Sequence, residues 1–230
     1  MSQIQHHPSD DTLASYSAGA LPAALALVVG CHLEECGRCR RELSALDGVG
    51  GELLSALAPK PLSETAKARM LALLDEQTEG FPGSGDLDGN GAGENTRAEK
   101  PVAPSSVPRL LAKLTGSDDL DALPWKTVGP GVRQIVLHTG EGNSRLLRIG
   151  AGRKMPVHSH RGSELTMILR GGYSDVIGKF NAGDVADLDA SVEHQPIADA
   201  DEDCICLAGM DAPLKFQGWI AKLMQPFVGM

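Results

Sequence analysis

The chain has 230 residues, of which 42% are hydrophobic but only 3% aromatic, and its formal net charge is −9. This composition supports cores built from aliphatic side chains, and the length allows one large domain or two small ones. The acidic balance argues against direct nucleic-acid binding, since 38–41 is the one basic cluster, and no apolar run approaches the roughly 20 residues of a membrane span.

Cysteine usage favours a reducing compartment. Three of the five cysteines lie between Cys31 and Cys39, beside His32, and clustered thiols next to a histidine are typical of metal binding rather than of a disulfide framework. The amino terminus has no basic segment followed by an apolar one, so we expect a cytoplasmic protein. The acidic charge could suit a basic protein partner, although ordinary solubility also explains it.

Four helices are predicted in the first 80 residues. Ser9 and the two acidic residues after it can cap a short first helix, which ends at Gly19. Pro22 fits the first turn of a second helix that continues to His32. Leucines at helical spacing predict a third helix from about 37 to 57, and a similar apolar stripe predicts a fourth over 63–77.

The join between the second and third helices carries the chemistry of this half. His32, Cys36 and Cys39 follow the spacing His-x3-Cys-x2-Cys. One helical turn separates the histidine from the first cysteine, so the three side chains can occupy three corners of a tetrahedron around zinc. We favour His7 over His6 as the fourth ligand. Four protein ligands leave no position for a substrate, so such a site is structural.

A second interpretation of the cysteine pair stays open. Cys36-x2-Cys39 also has the form of a redox-active dithiol. Zinc coordination and thiol reactivity are alternative uses of the same two sulfur atoms.

Residues 81–108 are predicted to be a flexible linker. This stretch is rich in Gly, Pro and polar residues and cannot bury an apolar face. It would separate a helical domain at 1–80 from a second domain at 109–230. Such a tether allows the domains to reorient, or to be separated by proteolysis, without unfolding either one.

The second domain is predicted to be all-β. Its apolar segments are short and bounded by Gly, Pro, Asn or Asp, which is typical of an antiparallel barrel or jelly roll. The two halves together predict a multidomain α+β protein. The predicted strands cover 132–138, 144–149, 164–169, 173–177, 184–188 and 204–207, with a hairpin tip at 141–143 and a short helix possible at 110–114.

A second metal site is predicted in this domain. His158 and His160 alternate, so in an extended strand both project to one side, and Glu164 keeps that parity after a short corner. His194, thirty residues further on, can supply a fourth ligand. Imidazoles with one carboxylate suit a divalent ion such as zinc, iron or manganese. The plain alternative is that these histidines are incidental surface residues.

This second pattern resembles the cupin motifs. From Gly152 to Gly171 the chain has the glycine, His-x-His, glutamate and glycine of the first motif at every position. Gly183 and His194 match the glycine and histidine of the second motif. The second motif's proline, glycine and final asparagine are replaced here by Asp189, Ser191 and Ala198. The resemblance implies that the metal ligands are kept, while the form of the second-motif turn stays open.

The two halves in this order resemble the ChrR-type transcriptional regulators, which are anti-sigma factors with a zinc anti-sigma domain followed by a cupin-like domain. Segments 6–10, 31–33, 125–127, 131–134 and 203–207 also look like that family's sequence. The resemblance implies zinc at the first site, and zinc or another divalent metal at the second. The implied ligands are His7, His32, Cys36 and Cys39 in the first site and His158, His160, Glu164 and His194 in the second.

The resemblance also implies a function, that of a regulator rather than an enzyme. The helical domain would bind a sigma factor of the extracytoplasmic-function (ECF, group IV) class in a 1:1 heterodimer, mask its polymerase-binding surfaces and repress transcription. The cupin would sense an oxidative signal such as singlet oxygen and release the sigma factor. Neither direct nucleic-acid binding nor a membrane segment is expected.

Two other functions are weighed against this one. His-His-Glu-His cupins include dioxygenases and isomerases that use an open coordination position, and the nearest acid-base candidates here are Tyr173 and Glu193. A zinc-dependent DNA-binding regulator is disfavoured by the acidic charge and the lack of a basic recognition helix.

Two features of the second domain have a default structural interpretation. Cys204 and Cys206 share one face of a predicted strand, where small buried hydrophobes are the default and oxidation or metal ligation is the alternative. His138 is expected to be a surface residue at the end of a strand.

Overall fold

The computed structural model describes residues 4–63, 65–78, 107–159, 161–212 and 215–216. The chain divides into two compact units, one formed by residues 1–51 together with 104–230 and the other by 52–103. The predicted linker lies outside the described residues except for its last two, Val107 and Pro108. The predicted domain boundaries therefore stay predictions.

Five helices are present in the described residues. Ser9 caps the first of them by accepting a hydrogen bond from the Thr12 amide, and Gly19 follows its end with a φ of 65°. The helical part of the fold prediction is confirmed. The helices are α1 (Asp10–Ser17), α2 (Ala23–Glu35), α3 (Gly37–Ser55), α4 (Ala66–Thr78) and α5 (Arg109–Thr115).

The rest of the described fold is an antiparallel β-structure, as predicted. A six-stranded sheet has the order β1-β2-β3-β11-β5-β8, and two three-stranded sheets have the orders β10-β6-β7 and β12-β4-β9. The strands are β1 (Lys126–Gly129), β2 (Val132–Leu137), β3 (Asn143–Ile149), β4 (His158–Ser159), β5 (Glu164–Arg170), β6 (Gly172–Ser174), β7 (Lys179–Asn181), β8 (Val185–Leu188), β9 (Glu193–His194), β10 (Ile197–Ala198), β11 (Cys204–Met210) and β12 (Lys215–Phe216).

The strand predicted over 173–177 is shorter than expected. It ends at Ser174, because the Asp175 carboxylate accepts a hydrogen bond from the Ile177 amide and closes a turn there. Val176 is 80% exposed at the tip of that turn. A side chain that sequence reasoning placed in a strand thus belongs to a loop.

Helix α2 lies directly on the large sheet within the first unit. All seven residues of β11 are buried, and the buried face of α2, with Leu25, Val28 and Val29, packs above them. Gly209 makes this close approach possible, since a Cβ there would collide with the Ala24 carbonyl. The helix that carries His32 is therefore fixed on the barrel.

Candidate metal centres

Four side chains converge near the end of α2. His7, His32, Cys36 and Cys39 each offer a ligand atom, and these atoms lie within 4.8 Å of one another. His7 Nδ1 is 3.4 Å from both sulfur atoms and from His32 Nε2, which is itself 3.3 Å from Cys39 Sγ. A tetrahedron with zinc bonds of about 2.0 to 2.3 Å has edges of about 3.3 to 3.8 Å. The donor set and its spacing therefore fit a four-coordinate zinc ion.

The break between two helices presents three of these ligands. His32 lies in the last turn of α2, Cys36 is the extended residue that ends it, and Cys39 lies in the first turn of α3. The Cys39 amide donates to Cys36 Sγ at 3.4 Å, and Arg40 donates to the carbonyl oxygens of Leu33 and Glu34 at the end of α2. Local geometry alone thus brings these three side chains together.

The fourth side chain comes from the segment ahead of α1. His7 points into the cluster, whereas the ring of His6 lies against Phe180, with 4.4 Å between centroids. This placement agrees with the choice of His7 over His6. The assignment of the four residues as metal ligands stays a prediction.

Burial controls the charge of this cluster. It lowers the pKa of His32 to about 4, against a smaller opposing effect of the hydrogen bond to the Gly183 carbonyl, so the imidazole is neutral and can act as a ligand. Burial, reinforced by Cys36, raises the pKa of Cys39 to about 12 in the absence of a cation. A Cys39 thiolate therefore needs a nearby cation, whether it acts as a nucleophile or as a ligand. The four converging donors, spaced as in a zinc tetrahedron, favour metal coordination over the redox interpretation.

A second group of candidate ligands lies inside the barrel, and its assignment as a metal site also stays a prediction. His158 on β4 pairs directly with His194 on β9, with their Nε2 atoms 3.0 Å apart, and Glu164 begins β5. The ligand atoms of these three buried residues lie within 4.8 Å of one another. His160 lies outside the described residues. Two imidazoles and a carboxylate suit a divalent cation such as zinc or iron.

Hydrogen bonds orient each of these ligands. His194 Nδ1 is 2.8 Å from Asp175 Oδ2, and the pair is almost fully buried. His158 Nδ1 is 2.8 Å from the Pro156 carbonyl, and Thr166 donates to Glu164 at 2.9 Å. Both imidazoles therefore present Nε2 to the site while Nδ1 is held from behind, the usual outer shell of a metal-bound histidine.

Asp175 is the functional residue that sequence reasoning missed. It is 19 residues from His194, and its sequence neighbourhood resembles any other acidic turn. The one usable signal is an acidic residue directly after an apolar strand, which is too common to identify a site.

The barrel cavity is largely apolar. Met155, Tyr173 and Cys206 line it beside the three ligands. Burial raises the pKa of Tyr173, and the hydrogen bond with Cys204, followed by burial, raises the pKa of Cys206, so both groups are neutral there. This favours the buried, unreactive interpretation of Cys206. His138 is exposed, as expected for a surface residue, and Glu193 is exposed as well.

The chain is similar to known proteins over nearly all of its length. Residues 117–212 match the family model of the ChrR cupin-like domain. Over 225 residues the chain is 43% identical to the anti-sigma-E factor ChrR of Cereibacter sphaeroides, covering 97% of this chain and 98% of that protein. It also resembles a chain in the crystal structure of Rhodobacter sphaeroides SigE in complex with the anti-sigma ChrR. That match has a TM-score of 0.73 and 40% identity, and covers 91% of this chain and 100% of the other.

Proposed function

The chain belongs to the ChrR family of anti-sigma factors, and on that premise we propose that it binds an ECF sigma factor and keeps it from RNA polymerase. It is a regulatory protein rather than an enzyme. The observation that carries this proposal is a run of exposed apolar side chains from Leu53 to Leu74, at the end of α3, in the segment after it and in α4, which the described residues do not cover.

This surface belongs to the unit formed by residues 52–103. Residues 67–74 of α4 are all exposed, and so are the residues from Glu52 to the end of α3. We call the exposed large hydrophobic residues between Leu53 and Leu74 the apolar stripe. Each of these side chains is at least half exposed. The stripe consists of Leu53, Leu54, Leu57, Leu62, Met70, Leu71, Leu73 and Leu74.

Eight exposed large hydrophobic side chains in this stretch favour a protein partner. Contiguous exposed apolar patches usually mark a protein interface, and amphipathic helices bind by placing such a face in a groove. The solved complex between SigE and the anti-sigma ChrR supplies the class of partner. A sigma factor bound in a 1:1 complex would cover the stripe, and its own polymerase-binding surfaces would be masked in return.

Zinc at His7, His32, Cys36 and Cys39 is part of the proposal. When bound, the ion supplies a rigid link between α2, α3 and the segment ahead of α1, because folding and metal binding are linked equilibria. Two thiolate ligands require a reducing compartment, which makes the cytoplasm part of the same proposal.

The barrel is proposed to be the sensor. A divalent metal held by His158, Glu164 and His194, with His160 as the fourth ligand, would be lost or rearranged when an oxidant such as singlet oxygen modifies the site. For release, the signal must stabilise the free state relative to the sigma-bound state. The direct packing of α2 on β11 and β5 supports such coupling.

The test is co-expression of the full chain with an ECF sigma factor from the same genome. We expect the two to co-purify as a 1:1 complex and the complex to be inactive in transcription with core RNA polymerase. A sigma factor that stays fully active in the presence of excess purified chain would refute the proposal.

A further inference from the structure

The turn between β7 and β8 lies against the amino-terminal metal cluster. This turn, residues 181–184, belongs to the barrel, yet the Gly183 carbonyl oxygen is 3.0 Å from His32 Nδ1. Gly183 has a φ of 92°, which favours glycine. We call residues 181–184 the clamp turn. One of the four candidate zinc ligands is thus held from behind by the barrel.

Asp184 contacts the segment that carries a second candidate ligand, His7. Its side chain is 1% exposed, and its Oδ1 atom accepts hydrogen bonds from the amides of Gln5 at 2.7 Å and His6 at 3.0 Å. The Val185 amide donates to the His6 carbonyl at 3.1 Å. The backbone directly ahead of His7 is therefore fixed to the barrel.

The clamp turn does not need these contacts for its own conformation. The Oδ2 atom of Asp184 accepts from the Asn181 amide at 2.8 Å, which closes the turn. The other oxygen is left for the amino-terminal segment. A buried carboxylate with one oxygen in the turn and one on a distant segment joins two parts of the chain.

His7 requires such support more than the other three ligands. His32, Cys36 and Cys39 are positioned by the ends of two helices, whereas His7 lies in a non-helical segment that precedes α1. A ligand on an unrestrained segment would lose conformational freedom when it binds a metal, which weakens binding. The clamp turn removes that freedom beforehand.

We propose that Asp184 is a positioning residue for the amino-terminal zinc site, holding His7 in place while the Gly183 carbonyl orients the ring of His32. The metal affinity of the helical cluster then depends on a turn of the barrel. This rests on the zinc site in the proposed function, and the experiment separates the two.

The experiment measures Co²⁺ binding to the full chain, purified in the reduced, metal-free form. Thiolate coordination to Co²⁺ gives a charge-transfer absorption band, which a site of histidines and carboxylates lacks. The Cys39→Ser variant assigns the band: if the wild type gives no band, or Cys39→Ser keeps it unchanged, the proposed zinc site is wrong. With the band assigned, the Asp184 variants test the further inference alone.

Asp184→Asn is expected to weaken Co²⁺ binding about tenfold, because the residues ahead of His7 would then have to be ordered when the metal binds. An amide cannot accept hydrogen bonds at both of its ends, so either the turn or the amino-terminal segment loses its acceptor. Asp203→Asn is the matched control, since Asp203 also accepts from a backbone amide and an arginine of the barrel. The Co²⁺ affinity of Asp203→Asn should stay within about twofold of the wild type.

A second pair of variants leaves the barrel unchanged. Gln5→Pro removes one amide that Asp184 accepts from, whereas Gln5→Ala keeps that amide and alters an exposed side chain. Gln5→Pro should weaken Co²⁺ binding and Gln5→Ala should not. The inference is overturned if Asp184→Asn binds like the wild type, if Asp203→Asn weakens binding equally, or if the two Gln5 variants bind alike.

Discussion

His32 Nδ1 lies 3.0 Å from the carbonyl oxygen of Gly183, a residue 151 positions further along the chain. A carbonyl can only accept, so Nδ1 carries the proton and Nε2 keeps its lone pair. Nε2 is the atom that faces Cys39 Sγ at 3.3 Å. The fold therefore fixes the tautomer that a metal ligand requires before any metal binds.

Loss of this ligand should abolish both metal and partner binding. After dialysis, His32→Ala is expected to retain no zinc. It should also stop co-purifying with the sigma factor, because the metal no longer fixes α3 relative to α2. Metal analysis and co-purification measure the two effects. Cys31→Ala is the matched control, since Cys31 is buried nearby but lies outside the cluster. Sigma binding by zinc-free His32→Ala would contradict the proposed role of the metal.

The apolar stripe should affect binding without affecting stability. Leu53→Asp and Leu57→Asp each place a charge on a side chain that is about two-thirds exposed. Burial of that charge in a complex should weaken sigma binding at least tenfold, or about 1.4 kcal/mol, with the thermal midpoint of the free protein unchanged. Titration calorimetry and thermal unfolding measure these quantities. Lys67→Asp is the control on an exposed polar position, and equal weakening by all three variants would argue for a purely electrostatic effect.

Asp175 should matter for metal affinity in the barrel alone. Asp175→Asn removes the carboxylate behind His194 and is expected to lower the affinity of the barrel site about 10- to 100-fold. The cobalt-thiolate band of the helical cluster should stay unchanged. Ser191→Ala, on the loop between β8 and β9 that precedes His194, serves as the control, because among the described side chains Ser191 is bonded only to Asp189. Retention of the barrel metal in Asp175→Asn at wild-type affinity would remove Asp175 from the site.

Glu164 separates repression from sensing. Glu164→Gln keeps the shape of the side chain but weakens a charged metal ligand, so we expect repression in unstressed cells to stay intact and induction by singlet oxygen to fall. A reporter gene under the sigma factor's promoter measures both. If repression and induction change together, the two sites do not have separate roles.

The ion pairs of Arg148 predict an acid-dependent contribution to stability. Its guanidinium donates to Asp203 and Asp121 at 2.8 and 2.6 Å, which lowers the pKa of Asp203, while Arg170 and then Arg148 lower the pKa of Asp121. Carboxylates with lowered pKa values stabilise the fold above their unfolded pKa of about 3.9, and that stability is lost as the pH falls through the folded values.

Arg148→Met should therefore lower the thermal midpoint by roughly 1 to 4 °C near neutral pH. The difference from the wild type should shrink below about pH 4. The difference should also shrink near 1 M salt, where salt screens charges from each other beyond about 3 Å. Lys126→Met, another exposed cation of the sheet, is the control. A difference that persists at low pH would mean that lost packing, rather than the ion pairs, destabilises the variant.

The sequence predicts what short-range geometry determines. His32, Cys36 and Cys39 lie within eight residues, so the ends of two helices bring them together whatever the rest of the chain does. Ser9 and Gly19 likewise mark the ends of α1 through capping and a positive φ. These features depend on neighbours in sequence and could be predicted from it, as could the α and β halves of the fold.

Most of the long-range contacts could not be predicted. The grouping of His158, Glu164 and His194 was predicted from the motif, but the pairing of the two-residue strands β4 and β9, which places His158 opposite His194, was not. The Asp175 carboxylate meets His194 only because the chain folds back over 19 residues. Asp184 was predicted merely as the first residue of a strand, since nothing in the sequence shows that a segment 178 residues away lies on it.

That separation affects how the protein is made. Synthesis at about 5 to 20 residues per second adds the clamp turn roughly 10 to 35 s after His7. During this interval the helical cluster on the nascent chain has three ligands held by their helices and a fourth held by nothing. A metal acquired then would be held loosely and could be exchanged, and completion of the barrel would lock in the ion that is present.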